Sequence, residues 1–181
     1  MFPTETSYGL AVDPRNAAAV KKLQRIKGRA ASKTLSLIAA DTAMVKKVAV
    51  LAPVEKKFAQ NFWPGALTLI LKPKKNLPRN VRSALGVAIR VPGNSFARTF
   101  AAVYNFPLTA TSANFATLPA TYSFAQFQKQ FRGKKHQPDL FLNAGRLPKR
   151  RVSTLALVRN GNVNILRPGP ISLKQLTRVI H

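Results

Sequence analysis

Three cations fall within seven residues at Lys27-Gly28-Arg29-Ala30-Ala31-Ser32-Lys33. Arginine offers a planar fork of donors and lysine a compact point charge, a combination suited to phosphate or carboxylate groups. The run lies between an amphipathic helical pattern and an apolar run, Leu35-Ser36-Leu37-Ile38-Ala39. It therefore reads as a loop that packed elements hold in place with its charges turned outward. From these residues alone, a merely solvated basic loop reads equally well. Other polar clusters stand at the ends of apolar runs: Thr4-Glu5-Thr6-Ser7-Tyr8, Thr109 to Asn114, Ser153-Thr154, and Arg167. Ligands of α/β sheets bind at strand ends. Hydroxyls, an amide and fixed cations gathered there suit a small amphoteric substrate together with a polyphosphate.

The elements that must position these groups follow from periodicity. Met1 and Phe2 read as the end of a strand, and Thr4 to Gly9 as a polar bend. Asn16 is placed to cap a helix running to about Lys27, with Val20, Leu23 and Ile26 on one side and Lys21, Lys22 and Arg25 on the other. Strands are predicted at 35–39, 67–71, 87–91, 108–112 and 140–142, and helices near 42–50, 53–62, 95–104 and from Ser123. Asp41 is an expected N-cap, and Pro53 suits the first turn of its helix. Phe96, Phe100 and Val103 form the expected buried stripe of the 95–104 helix. Ser153–Val158 and Val163–Leu166 flank Arg159-Asn160-Gly161-Asn162, a strong hairpin signal. A last helix begins near Ser172. Strands and helices intermix and one hairpin forces an antiparallel pair, so the expected fold is a mixed α/β sheet with helices on its faces.

The totals exclude several function classes. The chain has 181 residues, enough for one well-packed domain, and 46% of them are hydrophobic. Thirty Lys+Arg oppose five Asp+Glu, a formal charge of +25 that attracts polyanions. There is no cysteine, hence no disulfide or thiolate metal site. The carboxylates Glu5, Asp13, Asp41, Glu55 and Asp139 show no motif-like spacing, and His136 and His181 have no neighbouring partner. Neither a dedicated metal cage nor paired-carboxylate hydrolysis is expected. No apolar run approaches the roughly twenty residues that cross a bilayer, so the predicted location is the cytoplasm, with no membrane partner. The standard glycine-rich phosphate cradles are missing.

Taken together and in order, Phe-Pro-Thr-Glu-Thr-Ser-Tyr-Gly-Leu (2–10), Lys-Gly-Arg and Lys-Thr-Leu-Ser-Leu (27–37), Phe-Trp-Pro-Gly-Ala-Leu-Thr-Leu (62–69), Val-Ala-Ile-Arg-Val-Pro (87–92), Thr-Ser-Ala-Asn (111–114), Ser-Thr (153–154) and Ile-Leu-Arg-Pro-Gly (165–169) resemble the YrdC-like family over essentially the whole chain. The family's enzymes are threonylcarbamoyl-AMP synthases. The resemblance implies a twisted mixed parallel/antiparallel sheet with flanking helices around a positively charged concave cavity. It implies a nucleotidyltransferase that makes threonylcarbamoyl-adenylate and pyrophosphate from L-threonine, bicarbonate and ATP. Downstream threonylcarbamoyl-transfer proteins would then modify an adenosine of tRNA. ATP is a substrate here, and Mg²⁺ would arrive on its phosphates.

The resemblance also implies roles. Lys27 and Arg29 match the Lys-x-Arg motif that faces substrate carboxylate and phosphate, and are the expected catalytic pair. Thr6 and Tyr8 match the segment lining the threonine pocket, with Lys33, Thr111 and Ser112 as further substrate contacts. Asn114 matches the Ser-x-Asn motif, and with Ser153 and Arg167 it is expected at the nucleotide. Phe62-Trp63-Pro64-Gly65 reads as architectural. The family usually carries a helix and most of a strand before the Pro-Thr segment. The expectation here is one domain over 1–181 lacking that helix and part of the first strand. Three runs depart from the family pattern: Phe115-Ala116-Thr117 replaces a Leu-Ser-Gly-like turn, Leu157 stands where an acid is usual, and Asn143-Ala144-Gly145 lacks an Asp. These bear on nucleotide binding more than on the fold. The high charge supports an alternative, an RNA-binding module on the same fold that binds tRNA or double-stranded RNA without synthase activity.

Overall fold

Leu67, Leu69 and Leu71 alternate with Thr68 and Ile70, and Val87 and Ile89 alternate with Ala88 and Arg90. A pleated strand sends such alternating side chains to opposite faces. In the computed structural model, which describes residues 1–28, 34–93 and 95–180, the leucines, Val87 and Ile89 all enter one large core. Each of these side chains is worth about 1.5–3 kcal/mol of burial.

In chain order the elements are β1 (Phe2–Pro3), β2 (Tyr8–Leu10), α1 (Ala17–Lys27), β3 (Ser36–Ile38), α2 (Thr42–Val48), β4 (Ala49–Val50), α3 (Pro53–Phe62), β5 (Leu67–Pro73), β6 (Val87–Arg90), α4 (Ser95–Tyr104), β7 (Leu108–Ser112), α5 (Phe124–Phe131), β8 (Thr154–Arg159), β9 (Asn162–Arg167) and α6 (Leu173–Ile180). Among the described residues the strands form one sheet in the order β1-β2-β7-β3-β6-β5-β8-β9, with β4 also paired to β5. The β3–β6 and β5–β8 pairs are parallel; the other pairs are antiparallel. The expected mixed sheet with flanking helices is found. Asn160 and Gly161, at φ 50° and 76°, close the predicted β8–β9 hairpin.

Helix starts follow their sequence signals. Asn16, Asp41 and Ser123 accept from Ala19, Met44 and Gln126 backbone N–H groups, and Glu55 caps the Ala52 N–H at 2.6 Å. Val20, Leu23, Ile26, Phe58, Phe127, Phe131 and Leu176 bring α1, α3, α5 and α6 to the large core. A smaller cluster of Phe2, Ile38, Ala97 and Leu108 holds α4.

Three expectations are corrected. Tyr8 and Gly9, the last two residues of the expected bend, belong with Leu10 to strand β2, because Gly9 and Leu10 pair with Ser112 and Thr111. Leu140–Leu142 forms no strand; Leu142 N–H instead bonds the Met1 carbonyl at 2.9 Å. In α4, Ala97 and Ala101 are buried and Phe100 packs partly buried against Phe2, while Phe96 and Val103 of the expected stripe are exposed. The small alanines let the helix sit close against β1 and β3, and Phe96 and Val103 face outward. No helix among the described residues is long and apolar enough to cross a membrane.

Gly28 ends α1 in the left-handed region at φ 57°, its N–H reaching the Arg25 carbonyl. A Cβ there would enter the Phe115 ring. Gly28→Ala adds backbone strain to a steric clash and is expected to lower stability by about 1–3 kcal/mol, measured by urea unfolding. The same loss from Gly28→Ala in a Phe115→Ala background would show that the ring contact contributes nothing.

Candidate functional site

The face of the sheet turned away from the large core carries Ser36 and Ile38 of β3, Thr68 of β5, Arg90 of β6, and Ala110 and Ser112 of β7. These positions border a hollow of about 420 Å³, within the roughly 300–1,000 Å³ usual for small-molecule sites. Its rim is closed by the β1–β2 turn, by the end of α1 and by the segment entering β8. A larger hollow of about 890 Å³ lies beside α5. It is walled largely by core phenylalanines and has fewer converging polar groups.

All eight predicted site residues that are described line the first hollow: Thr6, Tyr8, Lys27, Thr111, Ser112, Asn114, Ser153 and Arg167. They come from separate stretches of the chain: Thr6 and Tyr8 at the start of β2, Lys27 at the end of α1, Thr111, Ser112 and Asn114 at and after the end of β7, Ser153 just before β8 and Arg167 at the end of β9. Arg29 and Lys33 lie outside the described residues.

Lys27, the last residue of α1, is 3% exposed. Its Nζ donates to the Ser112 carbonyl at 2.6 Å and to Asn114 Oδ1 at 3.2 Å. The Asn114 amide donates in turn to the Phe115 carbonyl at 2.8 Å and the Leu118 carbonyl at 2.5 Å. One buried ammonium thus ties the end of α1 to the turn after β7. Thr4 organises the opposite rim: its hydroxyl donates to the Ser7 carbonyl at 2.6 Å and accepts from Thr6 and Ser7 N–H, holding Thr6 at the edge.

The Tyr8 hydroxyl donates to the Gly145 carbonyl and accepts from Ala144 N–H, both at 2.8 Å. The ring is fully buried. The phenol therefore staples residues 143–145 to the rim while the residue borders the hollow.

Arg167 donates from Nε to the Ser153 carbonyl at 3.1 Å and from Nη2 to Ser153 Oγ at 3.0 Å. Ser153 Oγ also meets Thr68 Oγ1 at 2.8 Å. Gly169 makes this crossing feasible, since a Cβ there would sit 2.6 Å from the Val152 carbonyl. Burial, then the nearby charge of Arg90, lowers the Arg167 pKa. Burial also lowers that of Arg90, against the opposing pull of Glu5.

Arg90, Thr68, Thr4 and Glu5 are functional candidates that the residue-by-residue reading did not assign. The signal for Arg90 was a lone charge in the apolar run Val87-Ala88-Ile89-Arg90-Val91; for Thr68, a lone hydroxyl among leucines. A buried arginine on the face opposite a core calls for an anionic partner. Among the described lining residues the cations are Lys27, Arg90 and Arg167, and no carboxylate is present. Cations and hydroxyls so arranged can neutralise and orient a phosphate or carboxylate.

The chain is similar over nearly all of its length to proteins already known. A threonylcarbamoyl-AMP synthase of Pyrococcus abyssi is 32% identical over 181 residues, covering 99% of this chain and 52% of its own length. A putative threonylcarbamoyl-AMP synthase of Methanocaldococcus jannaschii is 30% identical over 175 residues, covering 97% and 81%. The crystal structure of P. abyssi Sua5 complexed with L-threonine superposes with a TM-score of 0.87 at 31% identity, over 98% of this chain and 52% of that one. The chain thus spans about half the length of its Pyrococcus relative. The Sua5/YciO/YrdC family model, described as "Telomere recombination", matches residues 1–169, and the chain belongs to that family.

Proposed function

We propose that this chain catalyses threonylcarbamoyl-AMP synthesis from L-threonine, bicarbonate and ATP in its hollow. The observation that carries this reading is the convergence of Lys27, Arg90 and Arg167 with the hydroxyls of Thr6, Thr111, Ser112 and Ser153 around one cavity. Support comes from relatives that bear the synthase name and from the related Sua5 crystallised with L-threonine.

The chemistry needs few protein acids or bases. The threonine amine attacks the carbon of bicarbonate, giving a carbamate and releasing water after proton transfer. A carbamate oxygen then attacks the α-phosphorus of ATP. The bond from that phosphorus to the β-bridging oxygen breaks, and pyrophosphate leaves with the electron pair. Both steps gather negative charge in one place, and fixed cations and oriented donors stabilise such charge without reorganising. Arg167 and Arg90 are assigned to the phosphates. Lys27 and Arg29 are assigned to the carbamate and α-phosphate charge, with Lys33 at the substrate. Thr6, Thr111 and Ser112 are assigned to threonine, Asn114 and Ser153 to the nucleotide side. Tyr8 serves by holding the wall of the threonine pocket. The lining offers hydroxyls and cations, so Mg²⁺ would be held by the ATP phosphates and water. The product would pass to threonylcarbamoyl-transfer proteins that act on tRNA, in the cytoplasm.

Pyrophosphate release that depends on threonine and bicarbonate, with the adenylate detected by mass spectrometry, is the expected result. A folded chain that releases none overturns the assignment. Arg167→Ala is expected to lower kcat/KM by about 10²- to 10³-fold, the scale of one lost charge-stabilising donor, with the circular dichroism spectrum unchanged.

A second reading, RNA binding, is favoured by Arg146, Lys149, Arg150 and Arg151, all exposed on the segment before β8. Replacing these four by alanine is expected to weaken binding of tRNA or duplex RNA and to reduce the log–log salt slope by about three, read by fluorescence anisotropy. An unchanged slope would remove the segment from any RNA interface.

A further inference from the structure

Arg90 and Arg167 both line the hollow, Arg90 buried and Arg167 exposed, and the Arg90 charge is near enough to act against that of Arg167. One carboxylate stands against them. Glu5 Oε1 lies 3.0 Å from Arg90 Nη1, the two side chains being 15% and 11% exposed. The same oxygen accepts the Gly93 N–H at 3.3 Å. Glu5 Oε2 is buried with no hydrogen-bond partner. The other four carboxylates are engaged elsewhere: Asp13 with Arg15 and Tyr104, Asp41 and Glu55 at helix starts, Asp139 with Lys22.

An unpaired arginine buried beside a second arginine is costly, and pairing with one carboxylate offsets part of that cost. The backbone N–H of Gly93 fixes the carboxylate, and the carboxylate fixes one corner of the guanidinium. We propose that Glu5 is a positioning residue: it acts through Arg90, aiming that guanidinium into the hollow and offsetting one of two repelling charges, so that Arg90 and Arg167 together receive a phosphate chain. That the chain belongs to a nucleotide rests on the synthase reading; the charge arrangement stands without it. Glu5 itself touches no substrate.

Inorganic pyrophosphate is the probe, with its dissociation constant measured by titration calorimetry on the full chain. Arg90→Gln weakens binding about tenfold or more, as expected for losing a charged donor. Glu5→Gln keeps an acceptor for Arg90 while removing a negative charge, so affinity stays within about threefold of wild type or tightens. Glu5→Ala frees the guanidinium and weakens binding about fivefold or more, and Glu5→Ala/Arg90→Gln binds no more weakly than Arg90→Gln alone. Should Glu5→Ala fail to fold, Glu5→Asp takes its place: its loss of affinity disappears in the Arg90→Gln background.

Additive losses, wild-type affinity in Glu5→Ala, or no pyrophosphate binding by the wild-type chain would each overturn the role given to Glu5. The expected binding pattern in a chain that makes no threonylcarbamoyl-adenylate would support that role and overturn the synthase reading.

Discussion

Alternation along β5 and β6 sends Leu67, Leu69, Leu71, Val87 and Ile89 to one core and Thr68 and Arg90 to the opposite face. A slip of one residue would drive Arg90 into that core and expose five apolar side chains. The parallel β5–β8 pair, with Leu67 opposite Thr154, then fixes where Ser153 arrives. The antiparallel β3–β7 pair, with Ser36 opposite Ala110, fixes where β7 ends and so where Ser112 and Asn114 begin. The hollow is therefore a consequence of register. Its polar residues stand where the pleat and the strand ends put them, and the burial of the opposite face holds them there.

Electrostatics set a second constraint. Cations brought out of water need acceptors, and the chain has five carboxylates to share among thirty basic side chains. Lys27 is satisfied by neutral oxygens of Ser112 and Asn114, and Arg167 by those of Ser153. The neutral oxygens of Ser153 do not cancel the charge of Arg167, which lines the hollow beside that of Arg90. Arg90, buried where Arg167 is exposed, takes the carboxylate of Glu5. The basic residues beyond the hollow are mostly exposed and need no such arrangement.

Much of this was legible in the sequence because the signals were local. The caps at Asn16, Asp41 and Ser123, the Asn160-Gly161 hairpin and the apolar runs of β5 and β6 each carry their own chemistry. The misread segments depended on distant partners. Tyr8 and Gly9 look like part of a bend until β7 supplies the ladder of their strand. Leu140–Leu142 looks like a strand, but its described backbone partner is Met1. In α4 the periodicity picks out Phe96, Phe100 and Val103, whereas close approach to β1 and β3 selects Ala97 and Ala101 and leaves only Phe100 of the three partly buried. The described site residues fall together around the hollow, yet Arg90 was hidden within a strand motif. Only topology shows that its face of the sheet opens on a cavity.

The three departures from the family pattern acquire a physical meaning in the same way. The Phe115 ring packs over Gly28, closing the left-handed end of α1, and Lys134 Nζ stands 5.0 Å from its centre. Asn143 Oδ1 accepts the Gly145 N–H at 2.9 Å, shaping the turn that the Tyr8 hydroxyl grips. Leu157 pairs with Ile70 and Asn164 within the sheet. Of these three runs, Ala116 alone is among the described residues lining the hollow. The changes act on the wall through packing and a turn, while the cations and hydroxyls that border the hollow are other residues.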